Sequence, residues 1–208
     1  MKFILLVEGK TERDSAASFL KRRLDPQLKR PVGVQTVSFD GYADWIRKLE
    51  TKARMYLDGP KRDEIVGVIG LLDLHGPDFF PEDKKTAEEK FLWGKEYFEK
   101  KVDRERFRMF FAVHEFEAWL LSLPDLFPSD VRNALVNKIA YPERVNFDEP
   151  PAKLLDRIYR KVSNRNYKKT TYGKQLFAKL DPEIAAQKCP YLKLLFDEML
   201  LMAKTAGL

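Results

Sequence analysis

The run Ile65-Val66-Gly67-Val68-Ile69-Gly70-Leu71-Leu72 carries neither a charge nor a polar alternation. A strand with one wet face alternates apolar and polar side chains, whereas a strand covered on both faces reads as a continuous apolar run. This run therefore belongs inside a sheet with helices packed on both sides. Phe3 to Val7 and Phe107 to Val113 read in nearly the same way, and Val32 to Phe39 is a less apolar fourth strand. The two glycines inside the Ile65 run point to a helix packed closely against the sheet.

Between these strands the apolar spacing changes to threes and fours. Ala16, Ala17, Leu20 and Leu24 share one face of a helix opened by Thr11, with Asp14 at the reciprocal capping position. Trp45, Ile46, Leu49, Ala53 and Tyr56 line a second helix from Tyr42 to Leu57, and a third runs from Lys84 to Lys101. Such alternation predicts an α/β fold, a mostly parallel sheet flanked by helices. Strand signals fade after Glu115. Phe116 to Leu121, Ser129 to Ile139, Ala152 to Val162, a segment opened by Asp181-Pro182-Glu183, and Pro190 to Lys204 read as helices. The expected organisation is a core over 1–122 and a basic α-helical C-terminal extension over 123–208.

Composition narrows the class. With 44% apolar residues in 208, a real core is expected rather than disorder. No run approaches the roughly 18 apolar residues of a membrane span, and Phe3 to Val7, ending at Glu8, is too short for a signal peptide. The single Cys189 excludes an internal disulfide and a cysteine zinc site, consistent with a cytoplasmic setting.

Three strands end in acids. Phe3 to Val7 leads into Glu8-Gly9-Lys10-Thr11-Glu12, the Ile65 run into Asp73-Leu74-His75-Gly76, and Phe107 to Val113 into His114-Glu115-Phe116-Glu117. Ligands of open α/β sheets bind outside the carboxyl ends of the strands, so these acids are expected to converge there. Carboxylates suit a hard cation such as Mg²⁺ or Mn²⁺, with Glu8, Asp73, Glu115 and Glu117 as candidate ligands. Glu12, His75 and His114 are further candidates for metal or phosphate, and Lys10 for a phosphodiester. Plainer readings stand beside these: Glu8 and Glu12 as acids favouring a helix start, Asp73 as a cap, His75 as a loop donor. If extended, Glu115 and Glu117 share a face; if helical, they lie about 200° apart, His114 aligns with Glu117 instead, and one of the two acids faces solvent.

Positive charge collects elsewhere. From Pro151 to Leu180 nine basic residues face one acid, a net of nine minus one, or +8, within a chain whose total is +6. Lys153, Arg157, Arg160, Lys161, Arg165, Lys168, Lys169 and Lys174 are candidates for contact with a nucleic-acid backbone. Tyr159, Tyr167, Tyr172 and Phe177 would either stack on unpaired bases or form a small helical core.

Taken in order, VEGKTE, LLDLHGPDFFPE and VHEFEAWLL resemble the Toprim-like family, in particular small stand-alone proteins related to the nuclease half of OLD-family (overcoming-lysogenization-defect) proteins. The resemblance covers Met1 to Leu121. It implies a glutamate after the first strand, matched by Glu8, and an Asp-x-Asp pair, matched by Asp73 with His75 in the second place. It further implies a Mg²⁺-dependent phosphodiester reaction and a role in phage defence beside an ABC-type ATPase. No Walker motif occurs here, so that ATPase would be a separate protein. On this basis the chain is expected to be a metal-dependent nuclease of DNA or RNA, tRNA included. Asp73 and one or both of Glu115 and Glu117 would hold the cation, Glu8 would hold it or activate water, and Lys10 and the basic extension would bind the backbone. The alternatives are a catalytically silent adaptor for nucleic acid or an ATPase, and a small-molecule phosphohydrolase with Asp73 as nucleophile.

Overall fold

The computed structural model describes residues 1–135, 139–144 and 149–208, with all their side chains except those of Lys10, Thr11, Thr170 and Thr171. Four parallel strands, β1 (Lys2–Val7), β2 (Gly33–Ser38), β3 (Ile65–Asp73) and β4 (Phe107–Ala112), form one sheet in the order β2-β1-β3-β4. The helices in chain order are α1 (Lys10–Leu24), α2 (Gly41–Leu57), α3 (Ala87–Val102), α4 (Ser129–Leu135), α5 (Pro151–Ser163), α6 (Lys174–Lys179), α7 (Pro182–Lys188) and α8 (Pro190–Thr205). The α/β class read from the apolar runs is thus the class of the fold.

Helices cover both faces of the sheet, which is why β1 and β3 carry no polar alternation. Side chains along a strand alternate between faces, and the two glycines of β3 show what lies on each. Gly67 leaves room for Met202 of α8, and Gly70 for Trp45 of α2 and the side chain of Met109. On the α2 side Trp45 meets Phe98 of α3 edge to face at 5.4 Å and donates its indole N–H to the Leu6 carbonyl at 3.0 Å. Across the sheet, Phe19 of α1 packs against Phe196 of α8 at 5.7 Å. Phe19 also meets Trp119 and Phe177, so one apolar core runs from the sheet into the C-terminal elements.

Local geometry departs from expectation in three places. Helix α1 starts at Lys10 with Gly9 at its cap, so Thr11 stands inside the helix and not at the cap position expected for it. Helix α3 starts three residues later than read, at a capping box between Thr86 and Glu89 that fits the Thr-x-x-Glu pattern. The segment Phe116–Ser122 is a 3₁₀ helix, held at its start by a side chain from another element. Of the helix expected from Ser129 to Ile139, Ser129–Leu135 is present and 136–138 lie outside the described residues.

Candidate functional site

Strands β1 and β3 are hydrogen-bonded neighbours, yet the chain leaves β1 toward β2 on one side and reaches β3 on the other. The order of the sheet reverses between them, and the loops beyond such a reversal leave a crevice at the carboxyl ends. Glu8 is the residue after β1 and Asp73 the last residue of β3, so the strand-end acids meet at this point.

Asp73 is half-buried, and its Oδ1 accepts the Phe116 backbone N–H at 2.8 Å. That bond pins the start of the 3₁₀ helix to the end of β3, and with it the two glutamates nearby. Glu115 is extended, and its Oε2 accepts the Ala152 N–H in the first turn of α5 at 2.8 Å. Glu117 is wholly buried. Among the described residues neither of its oxygens accepts a hydrogen bond from backbone or hydroxyl, and the Lys169 ammonium stands 2.9 Å from Oε2. Lys169 also lies 3.9 Å from Glu115 Oε1. Neither glutamate therefore points to solvent, contrary to the helical expectation. The reason is that Glu115 precedes the turn in extended backbone while Glu117 lies inside it.

These charges act on one another. Burial raises the Asp73 carboxyl well above the usual range; Lys169 opposes the rise, and Glu12, Glu117 and Glu115 add to it. Burial also raises Glu8, with Glu12 adding to the effect while Lys169 and the Tyr42 backbone N–H oppose it. For Glu117 the cause is again burial, countered by Lys169. Lys169 itself would be lowered by burial, but Glu117, Asp73 and Glu115 outweigh that and raise it. Among the described side chains, four carboxylates, Glu8, Asp73, Glu115 and Glu117, thus share the Lys169 ammonium while Glu12 adds repulsion, an arrangement that resists full ionisation without more positive charge.

The donor set is all oxygen and suits a hard divalent cation, and the buried, donor-poor carboxylate of Glu117 fits the same ligand. As the side chains stand, no three of the Asp, Glu, His and Cys groups among the described residues are gathered into a metal cage. Lys169 stands against Glu117 and Glu115 instead.

The remaining candidates are placed as follows. Glu12 folds back over Gly9, where a Cβ would lie 2.7 Å from its Oε2. His75 is exposed. His114 is buried and bonded to the Glu143 backbone; burial first, then the charge of His75, lower its pKa. The Lys10 side chain lies outside the described residues. Lys153, Arg157, Arg160, Lys161, Arg165, Lys168 and Lys174 line the outside of the extension, and Lys169 turns inward instead. Part of that basic face is already neutralised, because Arg157 grips Glu149 through two bonds of 2.6 and 2.7 Å and Arg160 pairs with Asp156 at 2.8 Å. Lys153, Asp156, Arg157 and Arg160 line an open groove along α5. The aromatics of the window are no stacking platform: Tyr159, Tyr167 and Phe177 are buried, and the three tyrosines pack on one another within 6.5 Å.

Two residues of this region carry no signal in the sequence. Lys169 reads as one more basic residue, and nothing in its neighbourhood marks it as facing inward. Glu143 belongs to no motif. It is buried, accepts the Tyr191 and Leu192 N–H groups at 2.8 and 3.1 Å at the start of α8, and is pushed up by burial to about 7.

The family described as "Domain of unknown function (DUF4276)" matches residues 7–200 of the chain. No match is found among curated proteins. The structure is similar to the C-terminal region of the Burkholderia pseudomallei OLD protein, at 18% identity over 98% of each chain with a TM-score of 0.47. It is similar also to that region of the Xanthomonas campestris pv. campestris OLD protein, at 17% identity over 99% of this chain and 95% of the other, again with a TM-score of 0.47.

Proposed function

We propose, for a chain that belongs to the DUF4276 family, a Toprim-like phosphodiester hydrolase acting on DNA or RNA with a divalent cation, Mg²⁺ or Mn²⁺. One observation carries this reading: a wholly buried carboxylate, Glu117, without a backbone donor among the described residues, set near Asp73 at the switch point of a parallel sheet. Burying charges in this way costs stability unless they are compensated, and Lys169 offsets only part of the negative charge gathered here, so the arrangement favours a further positively charged ligand.

Glu8, Asp73 and Glu117 would hold the cation, with Glu115 beside them. Bound there, it would polarise a phosphoryl oxygen and stabilise charge on the leaving oxygen. Glu8 is half-buried and raised in pKa, which equips it to take a proton from water. Asp73 sets the position of the 3₁₀ helix through the Phe116 N–H. Three lysines of the extension, Lys153, Lys161 and Lys168, would follow the phosphate backbone away from the site. A defence role and a separate ABC-type ATPase accompany this reading as expectations of the motif resemblance, and a cytoplasmic setting as an expectation of the single cysteine.

The second reading is a silent adaptor, favoured by one observation: the acids are not gathered as a metal cage. Labelled DNA and RNA, incubated with Mg²⁺ or Mn²⁺ and with the candidate ATPase present or absent, distinguish the two. A nuclease cuts, and Glu8→Ala and Asp73→Asn abolish cutting. An adaptor binds in a salt-sensitive way, cuts nothing under any condition, and is indifferent to both substitutions.

A further inference from the structure

The position of Lys169 is the least expected feature of the site. Its ammonium comes from a single π-helical turn, Lys169–Gly173, just before α6. It stands 2.9 Å from one buried glutamate and 3.9 Å from another, and it offsets Glu8, Asp73 and Glu117 alike. It is therefore the group, among the described side chains, that lets these acids coexist. Yet its side chain is 36% exposed, so the amine lies at the rim on a flexible four-carbon stem. Outward rotation of that stem needs no movement of the sheet.

We propose that Lys169 is an internal counter-ion that a divalent cation must displace before Glu117 and Asp73 can become its ligands. This rests on the cation reading above. The physical reason is exclusion. A doubly charged cation and an ammonium compete for the same buried carboxylates, because at equal separations of a few ångströms their repulsion equals the attraction the cation gains from one acid and is twice what the ammonium gains from one. The arrangement accounts together for two facts that otherwise conflict. The donor set suits a cation, yet no three donors are gathered around a common centre among the described residues. Lys169 is what keeps them apart from such a centre.

The consequence is an inverted effect of mutation. Removing a positive charge from a basic protein ordinarily does little to cation binding at a distant site. Here Lys169→Met should tighten Mn²⁺ binding at least about tenfold, while Lys169→Arg, which keeps the charge and adds donors, should leave it near the wild-type value or weaken it.

The experiment is a Mn²⁺ titration of the whole chain without nucleic acid, free Mn²⁺ being followed by electron paramagnetic resonance, in wild type, Lys169→Met and Lys169→Arg. A second measurement needs no variant: amine-selective acylation read by mass spectrometry. Lys169 should react slowly in the metal-free protein and faster at saturating Mn²⁺, with Lys153 as the unchanged reference. Equal or weaker Mn²⁺ binding in Lys169→Met would overturn the proposal. Should that variant fail to fold, Mn²⁺ binding by wild type without any gain in Lys169 reactivity would overturn it instead. In both cases the cation reading survives. Failure of wild type and Lys169→Met alike to bind Mn²⁺ overturns the cation reading and the proposal together.

Discussion

Two buried glutamates in this protein live under opposite conditions. Glu143 lies behind the site, where the first turn of α8 offers it two backbone N–H groups. Glu117 lies in the crevice, where among the described residues no backbone group serves it and one lysine does. Burial raises both carboxyls, so titration alone does not separate them. Their partners do. Backbone donors at a helix start are fixed and hold a carboxylate as a structural clamp, whereas a side-chain ammonium at the rim can leave. For these two glutamates the difference separates frame from site: Glu143, held by backbone donors, belongs to the frame, and Glu117, held by a movable charge, belongs to the site.

The largest effect should come from Asp73→Asn. Asparagine keeps an oxygen for the Phe116 N–H and removes a charge crowded by Glu12, Glu115 and Glu117. Cleavage should fall by at least about 100-fold, while the melting temperature at pH 7 should rise, because the variant no longer buries a charge among like charges. The gain should vanish near pH 3, where the carboxyl is protonated folded and unfolded. A variant that loses both activity and stability would instead make Asp73 a frame residue.

Glu143→Gln sharpens the other side of the comparison. Its folded pKa, about 7, lies above the ordinary value of 4.5. The folded state therefore holds the proton more tightly, and stability from this group is present below pH 4.5 and lost as pH rises through 7. The loss is on the order of 3 kcal/mol. Denaturant unfolding at a series of pH values should show that slope in wild type and a flatter profile in Glu143→Gln, with cleavage near wild type at pH 7.

A smaller effect is expected from the basic face. Converting Lys153 and Lys161 to Ala should lower the slope of log affinity against log salt by up to about 0.9 for each phosphate no longer neutralised, without changing the cutting rate at saturating nucleic acid. An unchanged slope would direct attention away from α5. Smallest of all, Thr86→Ala, which removes the α3 cap far from the acids, should cost about 1 kcal/mol and leave function untouched.

These regions also differ in how legible they are in the sequence. The sheet can be read because a strand buried on both faces has no choice but to be apolar, and all four runs are strands. The carboxyl-edge acids can be read because strand ends are fixed once the strands are. What surrounds them cannot. Lys169 lies 52 residues beyond Glu117 in the chain (169 − 117), and its inward turn depends on a π-helical turn that no apolar spacing announces. Glu143 stands between Pro142 and Arg144 in a segment with no periodic signal, and its clamp on α8 is a tertiary interaction alone. The tyrosines of the basic window show the converse: their spacing is visible, but their packing against one another is not.

The most direct test is thermal unfolding with increasing Mn²⁺ in wild type, Asp73→Asn and Glu143→Gln, since a ligand that binds only the folded state raises its stability. The account predicts that Mn²⁺ stabilises wild type and Glu143→Gln equally and leaves Asp73→Asn unmoved. Equal stabilisation of all three, or of none, would contradict the claim that the crevice acids, and not the buried acid behind them, are the protein's cation site.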